Sequence, residues 1–160
     1  MTNFAEPSSD NCFLDHHIRI LRESLSHWSG RDLVDSAMSN REAAEYLYRA
    51  PFAVLSHEEG ADPRFTYANR AAQQLFAMNW SEMIGMHSRF SAQPENQEDR
   101  NRLLQDVSKR GYVDRYQGIR ISKQGRRFLI SDTMVWNLIG PDGEFCGQAA
   151  KFGHTEYLDE

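Results

Sequence analysis

RFTYANRAAQQLFAMNWSEMIGMHSRF, residues 64–90, decides the fold. Phe65, Thr66 and Tyr67 favour a strand. Asn69 is a good N-cap, and Ala71, Ala72, Leu75 and Phe76 then fall on one helical face. Asn79 caps a second, shorter helix, with Glu82 three residues on completing a capping box. Gly85 suits the position just past that helix. The stretch holds no set of catalytic side chains. It lays short helices across the mouth of whatever sheet follows.

Downstream, residues 88–97 read as a loop. Asn96 is expected to cap a helix with Leu103, Leu104 and Val107 on its inner face, ended by Gly111. The remainder is sheet. Residues 112–122 form one strand, and Lys123-Gln124-Gly125 is a tight turn. Residues 126–139 form a long strand with Phe128, Ile130, Met134, Trp136 and Leu138 on one side. Pro141-Asp142-Gly143 turns the chain into a last strand over 144–152. Upstream, Phe52, Val54 and Leu55 read as a first strand, followed by a turn over 57–63. Ser39 and Glu42 form a capping box for a helix with Ala43, Ala44, Leu47 and Tyr48 on its apolar face, and Pro51 stops it. The order is helices, two strands, three helices, three strands. That predicts an α+β domain: a five-stranded antiparallel sheet with helices on one face and an N-terminal helical extension.

With 160 residues, 40% of them hydrophobic, the chain suits one domain with its own core. A net charge of −5 argues against direct nucleic-acid binding. The start, MTNFAEPSSDN, has neither the basic nor the apolar segment of a signal peptide, and its first ten residues read as disordered. No apolar run approaches the roughly 18 residues a membrane span needs, so the expected location is cytoplasmic. Cys12 and Cys146 lie far apart and read as free thiols.

Leu14, Ile18, Leu21, Leu25 and Trp28 are spaced four, three, four, three, a seam of two heptads. Such a stripe either packs on its own domain or pairs with a partner subunit. The second reading makes 12–28 a dimerisation helix and the protein a homodimer. The domain plan is therefore 1–50 as extension, 51–154 as the sheet domain and 155–160 as a tail.

Several blocks carry a resemblance. YANRAA entering one helix and WSEMIG ending the next resemble a PAS domain. APFAVLSHEEGADPRFTYANRAAQQLF (50–76), SRFSAQPENQEDRNRLL (88–104), GIRISKQGRRFLI (118–130) and VWNLIGPDGEFCGQAAKF (135–152) resemble the MEKHLA family. That PAS-related domain ends plant class III homeodomain–leucine-zipper regulators and also occurs as small free-standing bacterial proteins. The resemblance spans about residues 12–154 and implies a PAS-like sensory or interaction role, without an assigned ligand or reaction. Residues 85–90, GMHSRF, are also similar to the G-x-N-C-R-F-L-Q segment of flavin-binding LOV photoreceptors. There the cysteine forms a photoadduct with the flavin and the arginine contacts its phosphate, a role that falls on Arg89. Here Ser88 holds the cysteine position, and a hydroxyl is far less nucleophilic than a thiol. Ile130 replaces the flavin-facing asparagine. Gln148 lies one residue out of register with the last-strand glutamine, and such a slip moves a side chain to the other face. The resemblance therefore leaves non-adduct flavin binding, with redox chemistry at Trp80, Trp136 or a tyrosine, as an alternative.

The other constellations are thin. Neither H-E-x-x-H nor C-x-x-C occurs, His16 and His17 are adjacent rather than four apart, and the other four histidines are scattered, so no metal site is expected. His87 could ligate a haem iron if it faces the pocket; otherwise it is an ordinary loop histidine. Ser88 beside His87 looks like a nucleophile and base, but no G-x-S-x-G elbow surrounds the pair, so a small enzyme acting on a hydrophobic ligand is the weaker reading. Arg126 and Arg127, with Arg120 and Lys123 nearby, read as a solvated basic hairpin tip. Gly147, Ala149 and Ala150 in the last strand mark a close approach or leave volume above the sheet. The expected ligand pocket is Phe65, Leu75, Phe76, Ile84, His87, Ser88, Arg89, Phe90, Leu104, Phe128, Ile130 and Gln148; the same apolar residues would also make a filled core. The leading expectation is a cytoplasmic PAS-like sensor that signals by contact with another protein.

Overall fold

The computed structural model describes residues 5–158. Six antiparallel strands form one sheet: β1 (Val54–Glu58), β2 (Phe65–Ala68), β3 (Tyr112–Ile121), β4 (Arg127–Ile139), β5 (Phe145–Lys151) and β6 (His154–Tyr157). Their order is β2-β1-β5-β4-β3, with β6 paired to β4 beyond the end of β5. On the inner face lie α3 (Arg70–Phe76), α4 (Trp80–Met83), a 3-10 turn (Ser88–Ser91) and α5 (Pro94–Arg110). On the outer face lie α1 (Asp15–Ser29) and α2 (Asn40–Arg49), packed around Trp136, Leu138, Val54 and Tyr67. The domain is α+β, as the sequence predicts, but helices cover both faces of the sheet rather than one.

The helix starts follow the expected chemistry. Asn69 accepts from Ala72 N, and both capping boxes, Asn79 with Glu82 and Ser39 with Glu42, are present. Asn69 also accepts from Val54 N and donates to the carbonyls of Leu47 and Phe52, so one buried amide ties α2, β1 and α3 together. α5 differs: it begins at Pro94, two residues before the expected cap at Asn96. Proline pre-sets the first helical φ, which moves the start forward.

β4 overturns the expected placement of one strand face. Asp132 has φ +50° and forms a bulge, and a matching irregularity sits at Arg115 (φ +59°) on β3. One extra residue moves every later side chain to the opposite face. Phe128 and Ile130 therefore pack inward, followed by Val135, while Met134, Trp136 and Leu138 turn outward to α1. The bulge also sits where the partner of β4 changes from β5 to β6.

The stripe on α1 is buried in its own chain. Ile18, Leu21 and Leu25 are fully buried, and Leu14 and Trp28 pack beside them on the same core. Trp136 Nε1 donates to Leu21 O (3.1 Å), Trp28 Nε1 to Asn137 O (2.9 Å), and Ile139 N to Ser24 Oγ (2.8 Å). The exposed residues of α1 are polar, including the Arg19–Glu23 pair. The seam is thus mainly the underside of a helical layer, with Ile18, Leu21 and Leu25 closed to a second copy. Arg22 fixes the loop after α1 through both carboxylate oxygens of Asp32, at 3.0 and 2.9 Å. Gly111 ends α5 at φ +95°, and the Trp28 ring lies 2.2 Å from where a Cβ would stand, so only glycine fits there.

The termini need one correction. Residues 155–157 belong to β6 and are not a tail, and Tyr157 reaches Leu75 O (3.0 Å). At the other end the chain forms a 3-10 turn from Ser9. The expected disorder at 1–4, and residues 159–160 of the expected tail, lie outside the described residues.

Leu21→Ala removes a fully buried side chain between α1 and the sheet. It should cost about 3 kcal/mol in urea unfolding, with no change in particle mass by light scattering. A fall in mass without loss of stability would restore the seam as an interface between copies.

Candidate functional site

A cavity of about 50 Å³ lies between α5, the 3-10 turn and the inner face of the sheet. Leu55, Phe65, Phe76, Leu103, Ile130 and Val135 make its apolar wall, and Ser88, Thr133, His57, Tyr116, Arg100, Arg120 and Gln148 its polar one. It abuts a surface groove of about 530 Å³ between residues 57–63 and α5, sharing His57, Arg100, Leu104 and Gln148 with it.

Of the expected pocket residues, Phe65, Phe76, Ser88, Leu104, Ile130 and Gln148 meet at this cavity. The other six do not line it. Phe90 is 53% exposed, and Arg89 lies over its ring while pairing with Asp62. His87 Nδ1 donates to Asp62 O (3.0 Å), at the surface. Leu75 lines a separate hollow beside β6, Phe128 is closed in between Phe76 and Tyr157, and Ile84 packs beneath α4. The GMHSRF segment turns outward after Ser88, which is why its later residues miss the interior.

Two guanidinium groups carry the polar wall. Arg100 is 5% exposed and donates to Ser88 Oγ and to Asn101 Oδ1 (3.4 Å). Arg120 is 6% exposed, bonded to Ile119 O (2.9 Å) and to the Tyr116 hydroxyl (3.3 Å). Gly118 leaves room for this pair, since a Cβ there would stand 2.3 Å from the Tyr116 hydroxyl. Burial, and then the charge of Arg120, lower the Arg100 pKa to about 10. Beside them His57 Nδ1 donates to Glu58 O (2.8 Å), which leaves Nε2 as the acceptor nitrogen. Nε2 is buried without a hydrogen-bond partner, and burial lowers the His57 pKa to about 4.

Sequence reasoning missed these three side chains, although two left a signal. Arg100 lies three and four residues before Leu103 and Leu104, hence on the inner face of α5. Arg120 pairs in register with the buried Phe128, so it points inward and is not part of the hairpin tip. His57, expected in a turn, belongs to β1 and faces Gln148 across the strand pair.

Gln148 faces α5, where Nε2 donates to Asn137 Oδ1 (3.0 Å) and Leu104 O (3.3 Å). Asn137 Nδ2 donates to Val107 O (3.0 Å), while its own carbonyl accepts from Trp28 on the outer face. Also on that face, His17 Nε2 meets Ser56 Oγ (2.9 Å), which meets Thr66 Oγ1 (2.8 Å).

The family profile for the MEKHLA domain matches residues 15–157. The chain belongs to the MEKHLA domain family. Solved structures similar to this MEKHLA chain are PAS and light-oxygen-voltage domains. The PAS domain of a protein from Colwellia psychrerythraea is 13% identical with a TM-score of 0.62, over 74% of this chain and 95% of that one. A light-oxygen-voltage domain studied with a flavin analogue is 18% identical with a TM-score of 0.58, over 74% and 85%. An RNA-binding light-oxygen-voltage receptor is 16% identical with a TM-score of 0.60, over 79% and 35%. At these identities the likeness establishes the PAS-like fold. No curated protein matches the chain.

The MEKHLA cavity does not fit a flavin or a haem. At about 50 Å³ it falls well below the roughly 300 Å³ of a drug-sized ligand site. Ser88 Oγ is taken by Arg100, Arg89 by Asp62, and His87 lies away from the cavity. Among the described residues no group of three or more His, Cys, Asp or Glu is placed to hold a metal ion, and no helix is long and apolar enough to cross a membrane.

His17 and His57 both have pKa values lowered to about 4 by burial, His17 secondarily by His16. Each is neutral in the folded chain, while the unfolded chain takes up protons below its usual value of about 6.5. Their stabilising contribution is therefore full above pH 6.5 and lost as pH falls towards 4. Urea unfolding from about pH 7 to about pH 5 should show stability falling by up to about 1.4 kcal/mol per pH unit for each histidine. His57→Gln should flatten that slope; an unchanged slope would remove His57 from the titration.

Proposed function

We propose that this MEKHLA chain is a small-molecule sensory module whose occupancy is read by a signalling partner at the outer helical layer. The observation that carries the reading is Asn137. Its side chain holds α5 and β5 on the cavity side, and its carbonyl holds Trp28 of α1 on the other. A ligand that moves α5 displaces Val107 O, and with it the hydrogen bonds of one residue shared by both faces. The shift needs only a ligand that prefers one of two packings of α5. At the far end of this path Trp28 lies 6.4 Å from the ring of Phe145, which is 53% exposed, so an apolar spot on the outer layer is available to a partner. Ile18, Leu21 and Leu25, the fully buried part of the α1 seam, take no part in that contact.

The test is hydrogen exchange across α1. When a small molecule saturates the cavity, amides of residues 15–29 should change protection although they lie across the sheet. Asn137→Ala should retain ligand binding but lose at least half of that change. Binding at the cavity with α1 exchange untouched would end the reading.

A further inference from the structure

The buried arginines among the described residues fall into two groups. Arg22 has a carboxylate: both oxygens of Asp32 accept from it, and although burial pushes Asp32 up, the hydrogen bond and charge of Arg22 together with the backbone N–H groups of Leu33 and Val34 hold it below the usual carboxylate range. Arg100 and Arg120 have none. Among the described residues neither forms an ion pair, and their partners are a serine hydroxyl, an amide oxygen, a backbone carbonyl and a phenol. The neighbouring carboxylates bond other groups directly, although the charge of Asp62 still acts on Arg100 and the Tyr116 hydroxyl links Arg120 to Asp99. Asp62 pairs with Arg89 and His87, and Asp99 accepts from the Tyr116 hydroxyl (2.7 Å).

Burying one cation without a directly paired counter-charge is costly; burying two against one cavity is more so. Arginine does not escape by losing its proton. His57 lines the same cavity, and its buried Nε2 has a lone pair that only a donor can satisfy. Apart from Ser88, Thr133, Tyr116 and Gln148, most of the remaining wall is apolar, with Phe65, Phe76, Leu103, Ile130 and Val135, and the volume suits a few heavy atoms. The missing complement is therefore small, negatively charged at one end, apolar in its body, and equipped with one hydroxyl donor.

We propose that the cavity beneath α5 is a receptor site for a short-chain hydroxycarboxylate anion. Its carboxylate lies between Arg100 and Arg120, its hydroxyl donates to His57 Nε2, and its methyl end meets Phe76 and Ile130. A carboxylate accepts two N–H donors side by side, which suits planar guanidinium groups. The groove over residues 57–63 gives the way in, because His57 and Arg100 line both spaces. This assignment rests on the sensory reading above and names the chemistry that the cavity answers to.

The experiment uses the full chain and three probes at constant ionic strength: lactate, its neutral amide lactamide, and chloride. Binding is followed by isothermal titration and by the shift in melting temperature, which rises with ligand concentration for any molecule that binds only the folded state. Lactate should bind saturably, and lactamide and chloride at least tenfold more weakly. Arg120→Met and, separately, Arg100→Gln should weaken lactate at least tenfold, whereas the exposed Arg102→Gln should leave it unchanged. Should one arginine variant fail to fold, the other and the three-probe comparison on the parent chain decide the matter. Equal binding of lactamide, or lactate binding indifferent to Arg120→Met, overturns the anion assignment while leaving a sensory cavity intact. Equal binding of chloride overturns the carboxylate class. No saturable binding by any probe overturns the assignment, and the exchange experiment on α1 with other small molecules then judges the sensory reading separately.

Discussion

One strand of this domain must serve two cores, and the bulge at Asp132 is what permits it. Without the extra residue, thirteen consecutive residues of β4 would send one set of side chains to each face along the whole strand. With it, the first half gives Phe128 and Ile130 to the inner core, and the second half gives Trp136 and Leu138 to the outer one. The other elements follow from that switch. β5 pairs with the half that faces α1, β6 with the half that closes over Phe128, and Gly153 lets the chain cross at the bulge, where a Cβ would stand 2.1 Å from Asp132 O. β4 is an interior strand, flanked by β3 on one side and by β5 and β6 on the other, so a change on either of its faces is felt by the backbone that both faces share.

That arrangement explains why the polar residues cluster where they do. The inner surface around Ile130, Thr133 and Val135 is roofed by α5, and α5 brings Arg100 on the same stripe as Leu103 and Val107. β3 brings Arg120 next to Phe128. A core that needed only to be stable would put apolar side chains at both places, since unpaired buried cations weaken the fold. Their presence marks a part of the interior where stability is given up, as natural proteins do at sites that serve something else.

Most of the fold was legible in the sequence because its signals are local. Asn69, the two capping boxes and Gly111 mark helix ends by chemistry that acts within four residues. The turn glycines and prolines mark strand ends in the same way. What could not be read was non-local. The alternation along 126–139 looks unbroken, because an aspartate with positive φ resembles any exposed aspartate. The stripe from Leu14 to Trp28 states that something apolar covers it, but not whether that cover is its own sheet or another chain. At the site, the apolar wall was legible through Phe65, Phe76, Leu104 and Ile130, while the motif-based reading drew in His87, Arg89 and Phe90, which the chain turns outward. Arg100 had the right spacing and the wrong polarity for a core, so periodicity alone passed over it.

The helical layer formed by α1 and α2 bears on where this domain can be divided. Residue 51 looks like a natural boundary, since a proline follows a helix and the sheet begins three residues later. A fragment starting there would leave Trp136, Leu138 and Tyr67, all now fully or almost fully enclosed, as a bare aromatic and aliphatic plateau. Such a plateau on an open sheet invites self-association, so the fragment would precipitate rather than behave as a minimal domain.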